Sequence, residues 1–366
     1  MPSLAQPLGI AVIGCGNISA QYLTQLTGFD DVRVLVCADL DTDRAAARAA
    51  EFGVPDSGTP EQALAHPGVE LVVNLTVPAV HAQVAGAALA AGKHVWNEKP
   101  LTDDLESAQA LLDQAAKAGL RIGCAPDTIL GPGFQRARRL IAEGGIGAPL
   151  TALALVQGPG PDRWHPDPAF LYQPGAGPLF DLGPYYLSAL ATLFGPVVRV
   201  MAVGRRARDL RVVASGPKAG TEFPVEVDTH VSALLEFRDG QAATLVFSFD
   251  SPLSRQGFLE ISGSTATLAL VDVNQFDGDL RLRRAGDDDW TTIPTTGSTV
   301  GRGLGVLDMA RAVAEDRPHR ASGELALHVL EIMTAVDRST RSGQPEQVHS
   351  TFAPPEVMPQ DPPSED

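Results

Sequence analysis

Residues 8–19 read Leu8-Gly9-Ile10-Ala11-Val12-Ile13-Gly14-Cys15-Gly16-Asn17-Ile18-Ser19, and this stretch decides the fold. A short apolar run, Leu8–Ile13, leads into two glycines and then into residues that read as helix from about Ile18 to Leu26. In such a strand–loop–helix unit the first glycine permits a tight turn, and the second lets backbone amides approach a pyrophosphate. The helix start adds free N–H groups and the positive end of its dipole. Ser19 replaces the usual third glycine and is small enough for helix and strand to stay close. Alone, the motif is weak. Its context strengthens it, because the next strand, Val32–Ala38, ends at Asp39, within the ~20-residue interval of a ribose-binding carboxylate. Such a carboxylate accepts hydrogen bonds from the 2′-hydroxyl and repels a 2′-phosphate, so NAD is expected ahead of NADP. Arg44 is the neighbour that could offset this preference. Asp39 could instead cap the following helix, although Asp41 is placed equally well for that. Gly14, Gly16, Asn17, Ile18 and Asp39 are thus the expected cofactor contacts.

Outward from this loop, strand and helix signals alternate. Thr42–Phe52, Val80–Ala91 and Asp104–Ala118 read as helices; Leu71–Leu75, His94–Asn97 and Leu120–Cys124 read as strands. Asp103 and Glu106 resemble a capping box, and Gly92 and Gly119 stand where helices should stop. Short apolar strands separated by helices imply a doubly wound parallel sheet of the Rossmann kind over residues 1–125. After Ala125 the character changes. Gln135–Ala142 reads as helix, Leu150–Gln157 as strand, Gly158–Pro178 as a Pro/Gly-rich loop, and Asp181–Phe194 as a helix stopped by Gly195-Pro196. Six strand-like runs follow between Val197 and Arg284 without intervening helices, with Asp239-Gly240 as a hairpin signal. They imply an α+β domain with a large, open, mostly antiparallel sheet. Helices near Leu304–Ala314 and Glu324–Ser342 close this second domain, residues 126–350, assigned to substrate binding and oligomerisation. One sheet face lacks obvious helical cover, so a homodimer or homotetramer is expected. Residues 351–366, ending in an acidic, proline-rich run, read as a disordered tail.

Composition narrows the partners. The 366 residues are 44% hydrophobic and 20% charged, which suits two globular domains. A net charge of −16 argues against nucleic acid, whose phosphates need clustered Lys and Arg. No apolar run approaches the ~20 residues of a membrane span, and no basic region precedes the first apolar strand as in a signal peptide. Cys15, Cys37 and Cys124 have no CxxC spacing, which excludes a disulfide framework and offers no zinc site. A soluble protein of the reducing cytoplasm, with neither metal nor membrane partner, is expected.

The fourth strand ends in Trp96-Asn97-Glu98-Lys99-Pro100. Ligands of open α/β sheets bind outside the carboxyl ends of the strands, which puts Lys99 in the crevice. Only Lys93, Lys99, Lys117 and Lys218 are lysines, in a chain that otherwise uses arginine. A lysine kept at a strand end suggests that its compact ammonium matters; a surface lysine beside a loop proline is the plain alternative.

The Gly14 loop, Thr76-Val77-Pro78-Ala79-Val80-His81, Gly92-Lys93-His94-Val95, Glu98-Lys99-Pro100 and Gly177-Pro178-Leu179-Phe180-Asp181-Leu182-Gly183-Pro184-Tyr185 occur in this order. Together they resemble the glucose–fructose oxidoreductase, inositol dehydrogenase and rhizopine-catabolism (Gfo/Idh/MocA) family over nearly the whole chain. The resemblance implies an NAD-dependent dehydrogenase acting on a sugar, inositol or related polyol. It implies that Lys99 reaches both cofactor and reacting hydroxyl, in a cis Lys99–Pro100 arrangement that turns the lysine inward. It places Thr76, Pro78 and His81 beside the nicotinamide, with Glu98 in the same set. His81 could equally be a satisfied histidine at a helix start.

Many members carry Asp-x-Gly-x-His in the second domain. Here the last position is Tyr185, as in the tyrosine branch of the family. Hydride transfer from an alcohol carbon needs the hydroxyl proton removed, and a nearby ammonium favours a phenolate. Asp181 and Tyr185 are four apart, on one face of a helix, with Asp181 orienting the ring. Packing of the ring is the alternative for Tyr185, and an N-cap role for Asp181. Tyr186 points away and is the weaker candidate. Trp164 and His165 lie in the Gly158–Pro178 loop, where the resemblance places substrate contacts. An aromatic plane suits a sugar face, an imidazole suits a hydroxyl, and His165 is the alternative base. A trans-dihydrodiol dehydrogenase, a keto-sugar reductase and a non-catalytic NAD-binding sensor are the competing readings. The complete Lys99, Asp181 and Tyr185 set favours an enzyme.

Overall fold

The computed structural model describes residue 4 and residues 6–295 and 300–359. Strand β1 (Leu8–Ile13) is buried at every position because it is paired on both sides in a six-stranded sheet. Along the chain follow α1 (Asn17–Leu26), β2 (Val32–Ala38), α2 (Thr42–Phe52), β3 (Asp56–Gly58), α3 (Pro60–Ala65) and β4 (Leu71–Asn74). Then come α4 (His81–Ala90), β5 (His94–Asn97), α5 (Leu105–Ala118) and β6 (Ile122–Cys124). The sheet order is β3-β2-β1-β4-β5-β6, all parallel. The order turns outward on either side of β1, so the loops after β1 and β4 open at a switch point where dinucleotides bind. This is the doubly wound sheet expected of the N-terminal sequence.

The second sheet is built differently. Its elements are α6 (Pro132–Ala142), β7 (Pro149–Gln157), α7 (Gly177–Phe194), β8 (Val197–Arg205), β9 (Leu210–Val212) and β10 (Glu222–Pro224). β11 (His230–Phe237), β12 (Ala242–Ser248), β13 (Arg255–Gly263), β14 (Ala266–Ala269), β15 (Leu280–Arg284) and β16 (Thr291–Ile293) follow. Helices α8 (Leu304–Ala314) and α9 (Gly323–Ser342) precede the last strand, β17 (Glu346–Gln347). Nine strands order as β16-β15-β14-β13-β7-β12-β11-β8-β17, antiparallel except where β7 meets β12. β9 and β10 form a separate ribbon.

The chain makes two compact units. The first takes in residues up to 131, then 299–327 and 355 onward; the second takes 132–298 and 328–354. Helix α8, which the sequence reading gave to the second domain, therefore belongs to the first unit. Local chemistry explains why. A Cβ at Gly305 would run into the Trp96 ring, so glycine lets α8 approach β5. Asp127 Oδ2 accepts the amides of Gly303 and Gly305 at 2.8 and 3.0 Å, capping α8 from the segment after β6.

Three local readings shift. The N-cap of α5 is Asp104, which accepts the Ser107 amide at 2.8 Å; Asp103 and Glu106 do not form the capping box. Helix α7 begins at Gly177, with φ +85° there and Pro178 in its first turn, so Asp181 lies inside the helix and its N-cap is Ala176. Of the residues read as a tail, 351–359 are placed, with Phe352 buried and its ring 5.2 Å from that of His328; 360–366 lie outside the described residues. Among the described residues no helix is long and apolar enough to cross a membrane.

Candidate functional site

The first unit's site starts where β1 ends. Gly14 has φ +99°, and a Cβ there would lie 2.7 Å from the Leu75 carbonyl, so only glycine fits. Gly16 is the N-cap of α1, which carries neither a side-chain cap nor an acid in its first turn. Helices α2, α3 and α5, by contrast, are capped by Asp41, Thr59 and Asp104. A Cβ at Gly16 would meet nothing within 4 Å, so the loop faces open space. These amides and the dipole behind them are available to an anion.

Asp39 stands beside this loop at the end of β2. Its Oδ2 accepts the Cys15 amide at 2.8 Å and its Oδ1 the Asp41 amide at 3.0 Å. Asp41, accepting the Arg44 amide at 3.1 Å, caps α2. The capping role once open to Asp39 is thus filled by Asp41. Arg44 Nη1 lies 3.7 Å from Asp39 Oδ2, and Arg44 Nη2 lies 3.1 Å from Asp41 Oδ2. The guanidinium is held by two acids.

A cavity of about 420 Å³ opens between these groups and the turn after β4. Gly14, Gly16, Asp39 and Thr76 line it; Asn17, Ile18, Pro78, His81, Glu98 and Lys99 are not among its lining residues. The sequence reading missed the apolar walls supplied by Leu40, Leu64, Val77 and Val80. Leu40 is 89% exposed and Val77 64%, unusual for large apolar side chains at strand ends and suited to a flat ring. A stronger clue was Thr59-Pro60-Glu61-Gln62, a capping box with proline in the first turn. It marks α3, which brings Pro60, Glu61 and Leu64 to the cavity. Glycine turn, uncapped helix, the Asp39 carboxylate and apolar walls together fit a dinucleotide.

Behind the cavity the ends of β4 and β5 are tied together. Asn74 Nδ2 donates to Asn97 Oδ1 at 2.9 Å, and Thr76 Oγ1 donates to Asn74 Oδ1 at 2.6 Å. His81 is fully buried, with Nδ1 2.7 Å from the Pro100 carbonyl and Nε2 3.1 Å from that of Thr76. It links the Thr76 turn to the Lys99–Pro100 segment, whose peptide bond is cis. Glu98 is buried as well. Its Oε1 accepts the Tyr22 hydroxyl at 2.8 Å, and its Oε2 accepts the Lys99 amide at 2.9 Å.

In the second unit, α7 carries Asp181 and Tyr185 one turn apart, on the same face, and Tyr185 is only 6% exposed. Tyr186 is committed to the interior. Its hydroxyl accepts the Gly257 amide at 3.1 Å, and its ring meets Phe247 edge-on at 5.8 Å. Burial, then the charge of Asp272, pushes its phenol above the ordinary range.

Trp164 is 68% exposed and meets the His165 ring edge-on at 5.5 Å, as does Phe170. Just upstream the loop is anchored by Arg211, which sequence reasoning missed. Its guanidinium is buried and donates to Asp162 Oδ1 at 2.6 Å, to Asp250 Oδ1 at 2.5 Å, and to the carbonyls of Pro159 and Phe249 at 2.8 Å each. Tyr172 lies under it at 5.0 Å and donates its hydroxyl to Asp162 at 2.5 Å. A buried guanidinium is tolerated because acceptors surround it, here two carboxylates and two carbonyls.

Comparison with known proteins agrees with this architecture. Residues 8–125 match the family model of the oxidoreductase NAD-binding Rossmann fold, and residues 134–269 match the GFO/IDH/MocA C-terminal domain. The dTDP-3,4-didehydro-2,6-dideoxy-alpha-D-glucose 3-reductase of Actinomadura kijaniata is 31% identical over 73% of this chain and 75% of its own. The D-xylose 1-dehydrogenase (NADP(+)) 2 of Haloferax volcanii is 26% identical over 91% of this chain and 97% of its own. The crystal structure of an NAD binding oxidoreductase from Klebsiella pneumoniae superposes with a TM-score of 0.81 at 25% identity, covering 94% of this chain and all of that one.

Proposed function

The chain belongs to the Gfo/Idh/MocA oxidoreductase family, and from that premise we propose that it oxidises a secondary alcohol or lactol of a sugar, inositol or related polyol. The observation that carries this reading is the open, uncapped Gly14–Gly16 turn beside Asp39 and its cavity. When bound, the nicotinamide takes up or returns the hydride. The Gly16 amide and those at the start of α1 would hold the pyrophosphate, Asp39 would take the ribose hydroxyls, and Leu40 and Val77 would flank a ring. His81 acts from behind, bracing the Thr76 turn, and Glu98 stands with it.

Lys99 polarises the substrate oxygen, Tyr185 exchanges its proton, and Asp181 orients the Tyr185 ring. Tyr186 is held by its Gly257 hydrogen bond and by Phe247, which supports a structural part for it. Trp164 offers a face to the apolar side of a sugar ring and His165 a polar tip to a hydroxyl. Keto-sugar reduction is the second reading, favoured by the activity in the name of the Actinomadura relative. The same residues would then deliver the proton instead of removing it.

The outer face of the nine-stranded sheet supports a homodimer or homotetramer. Met201, Leu234, Thr244 and Leu153 lie side by side in one row across β8, β11, β12 and β7, and the three apolar members are each at least 43% exposed. The experiment that tests the function is a panel of aldoses, inositols and polyols offered with NAD⁺ and followed at the reduced-nicotinamide absorbance. Turnover confined to simple aliphatic alcohols would overturn the substrate class.

A further inference from the structure

We propose that Tyr22 and Glu98 are positioning residues that couple the dinucleotide-binding helix to Lys99. The proposal rests on the assignment of Lys99 above. Its geometry lies wholly within the first unit. Trp96 Nε1 lies 3.3 Å from the Tyr22 hydroxyl and donates to it. That hydroxyl donates to Glu98 Oε1 at 2.8 Å, and Glu98 Oε2 accepts the backbone amide of Lys99 at 2.9 Å. Trp96 and Tyr22 are fully buried and Glu98 nearly so.

Each link is saturated in a way that fixes its neighbour. The phenol has one donor to spend and one hydrogen bond to accept, and both are used. Burial, then the Glu98 charge, holds the Tyr22 phenol well above its ordinary value, so it stays a donor. A buried carboxylate requires donors on both oxygens, and here one comes from α1 and the other from the lysine's own amide. Tyr22 lies on α1, the helix whose N-cap, Gly16, lines the cavity. The direction in which Lys99 leaves β5 is therefore set against the element that sets the phosphate. Glu98 holds the backbone of Lys99 directly, so its part is exerted through the position of that residue.

The chain's four lysines make this directly measurable. Reductive methylation of the full chain with ¹³C-formaldehyde gives one dimethylamino signal per lysine, and Lys99→Arg identifies the Lys99 signal. Tyr22→Phe and Glu98→Gln are expected to shift or broaden the Lys99 signal, leaving those of Lys93, Lys117 and Lys218 in place. NADH affinity, from fluorescence titration, should stay within about twofold, and kcat should fall by about tenfold, as for loss of a hydrogen bond to a charged group. The double variant should be no worse than Glu98→Gln alone. An unmoved Lys99 signal in both variants overturns the proposal, as does movement of all four signals together with a lowered melting temperature. If instead Lys99→Met keeps full turnover while Tyr22→Phe still moves the Lys99 signal, the catalytic reading of Lys99 fails and the positioning relationship stands.

Discussion

His328 holds the backbone of Val197: the Val197 amide donates to His328 Nε2 at 3.0 Å, inside the second unit. The other nitrogen, Nδ1, lies 2.9 Å from Ser350 Oγ, so the neutral ring carries its hydrogen there. A second proton, on Nε2, would set N–H against N–H. Burial above all holds the imidazole at about 4 instead of 6.5. A base whose folded pKa is depressed stabilises the fold above its unfolded value, and that contribution is lost as pH falls from about 6.5 to about 4. The amount at stake is about 3 kcal/mol. Asp127, pushed up to about 6 by burial, works the other way, since stability falls as pH rises from 3.8 to about 6. The comparison must therefore be between parent and variant. His328→Gln is expected to melt lower at pH 7.5 yet lose less on acidification, and parallel melting curves across pH would refute this.

Cofactor choice should follow Asp39. With the carboxylate removed in Asp39→Ala, the preference for NADH over NADPH should narrow by roughly tenfold, the value of a hydrogen bond to a charged group. Arg44→Ala should widen it, because the guanidinium 3.7 Å from Asp39 offsets the repulsion of a 2′-phosphate. Fluorescence titration with both reduced cofactors measures each case. Tighter NADPH binding by the unaltered protein would contradict the assignment.

For the proton chemistry, Lys99→Ala and Tyr185→Phe should each lower kcat by about 10²–10⁴-fold while leaving NADH affinity nearly intact. Combined, they should lose less than the sum of the two, as expected of groups acting together. Tyr186→Phe is the control: it gives up one hydrogen bond to Gly257, about 1 kcal/mol of stability, with turnover nearly unchanged. A loss below tenfold for Tyr185→Phe, with His165→Ala inactive, would move the role to the loop histidine.

The exposed row on the nine-stranded sheet makes association testable. Leu234→Glu with Met201→Glu should convert the native assembly to monomers, read by light scattering after size exclusion. A monomeric parent protein at micromolar concentration would remove the proposed interface.

What could be read beforehand followed the range of the interactions. Asp41 caps α2 through the amide of Arg44, three positions on, and so local a contact is readable in sequence; even so, the capping box expected of Asp103 and Glu106 was one residue off, the cap being Asp104. Strand β3 is only Asp56-Ser57-Gly58, without an apolar residue, and is recognisable solely through its pairing with β2. Arg211 finds Asp162 and Asp250 at separations of 49 and 39 residues, a contact no local pattern encodes. His81 shows the intermediate case. Its position in the motif was legible, but its partners, the carbonyls of Thr76 and Pro100, are set by how β4 and β5 lie side by side.

The split makeup of the first unit bears on how the protein is born. The ribosome releases residues up to 131 first, then the whole of 132–298, and only afterwards helix α8. Until then the Trp96 ring lacks the helix that Gly305 lets close upon it, and Asp127 Oδ2 waits without the two amides it accepts. A nascent chain that already holds every strand of the first sheet is still unfinished as a unit. Completion of the first unit therefore comes late in translation, after most of the second unit has already emerged.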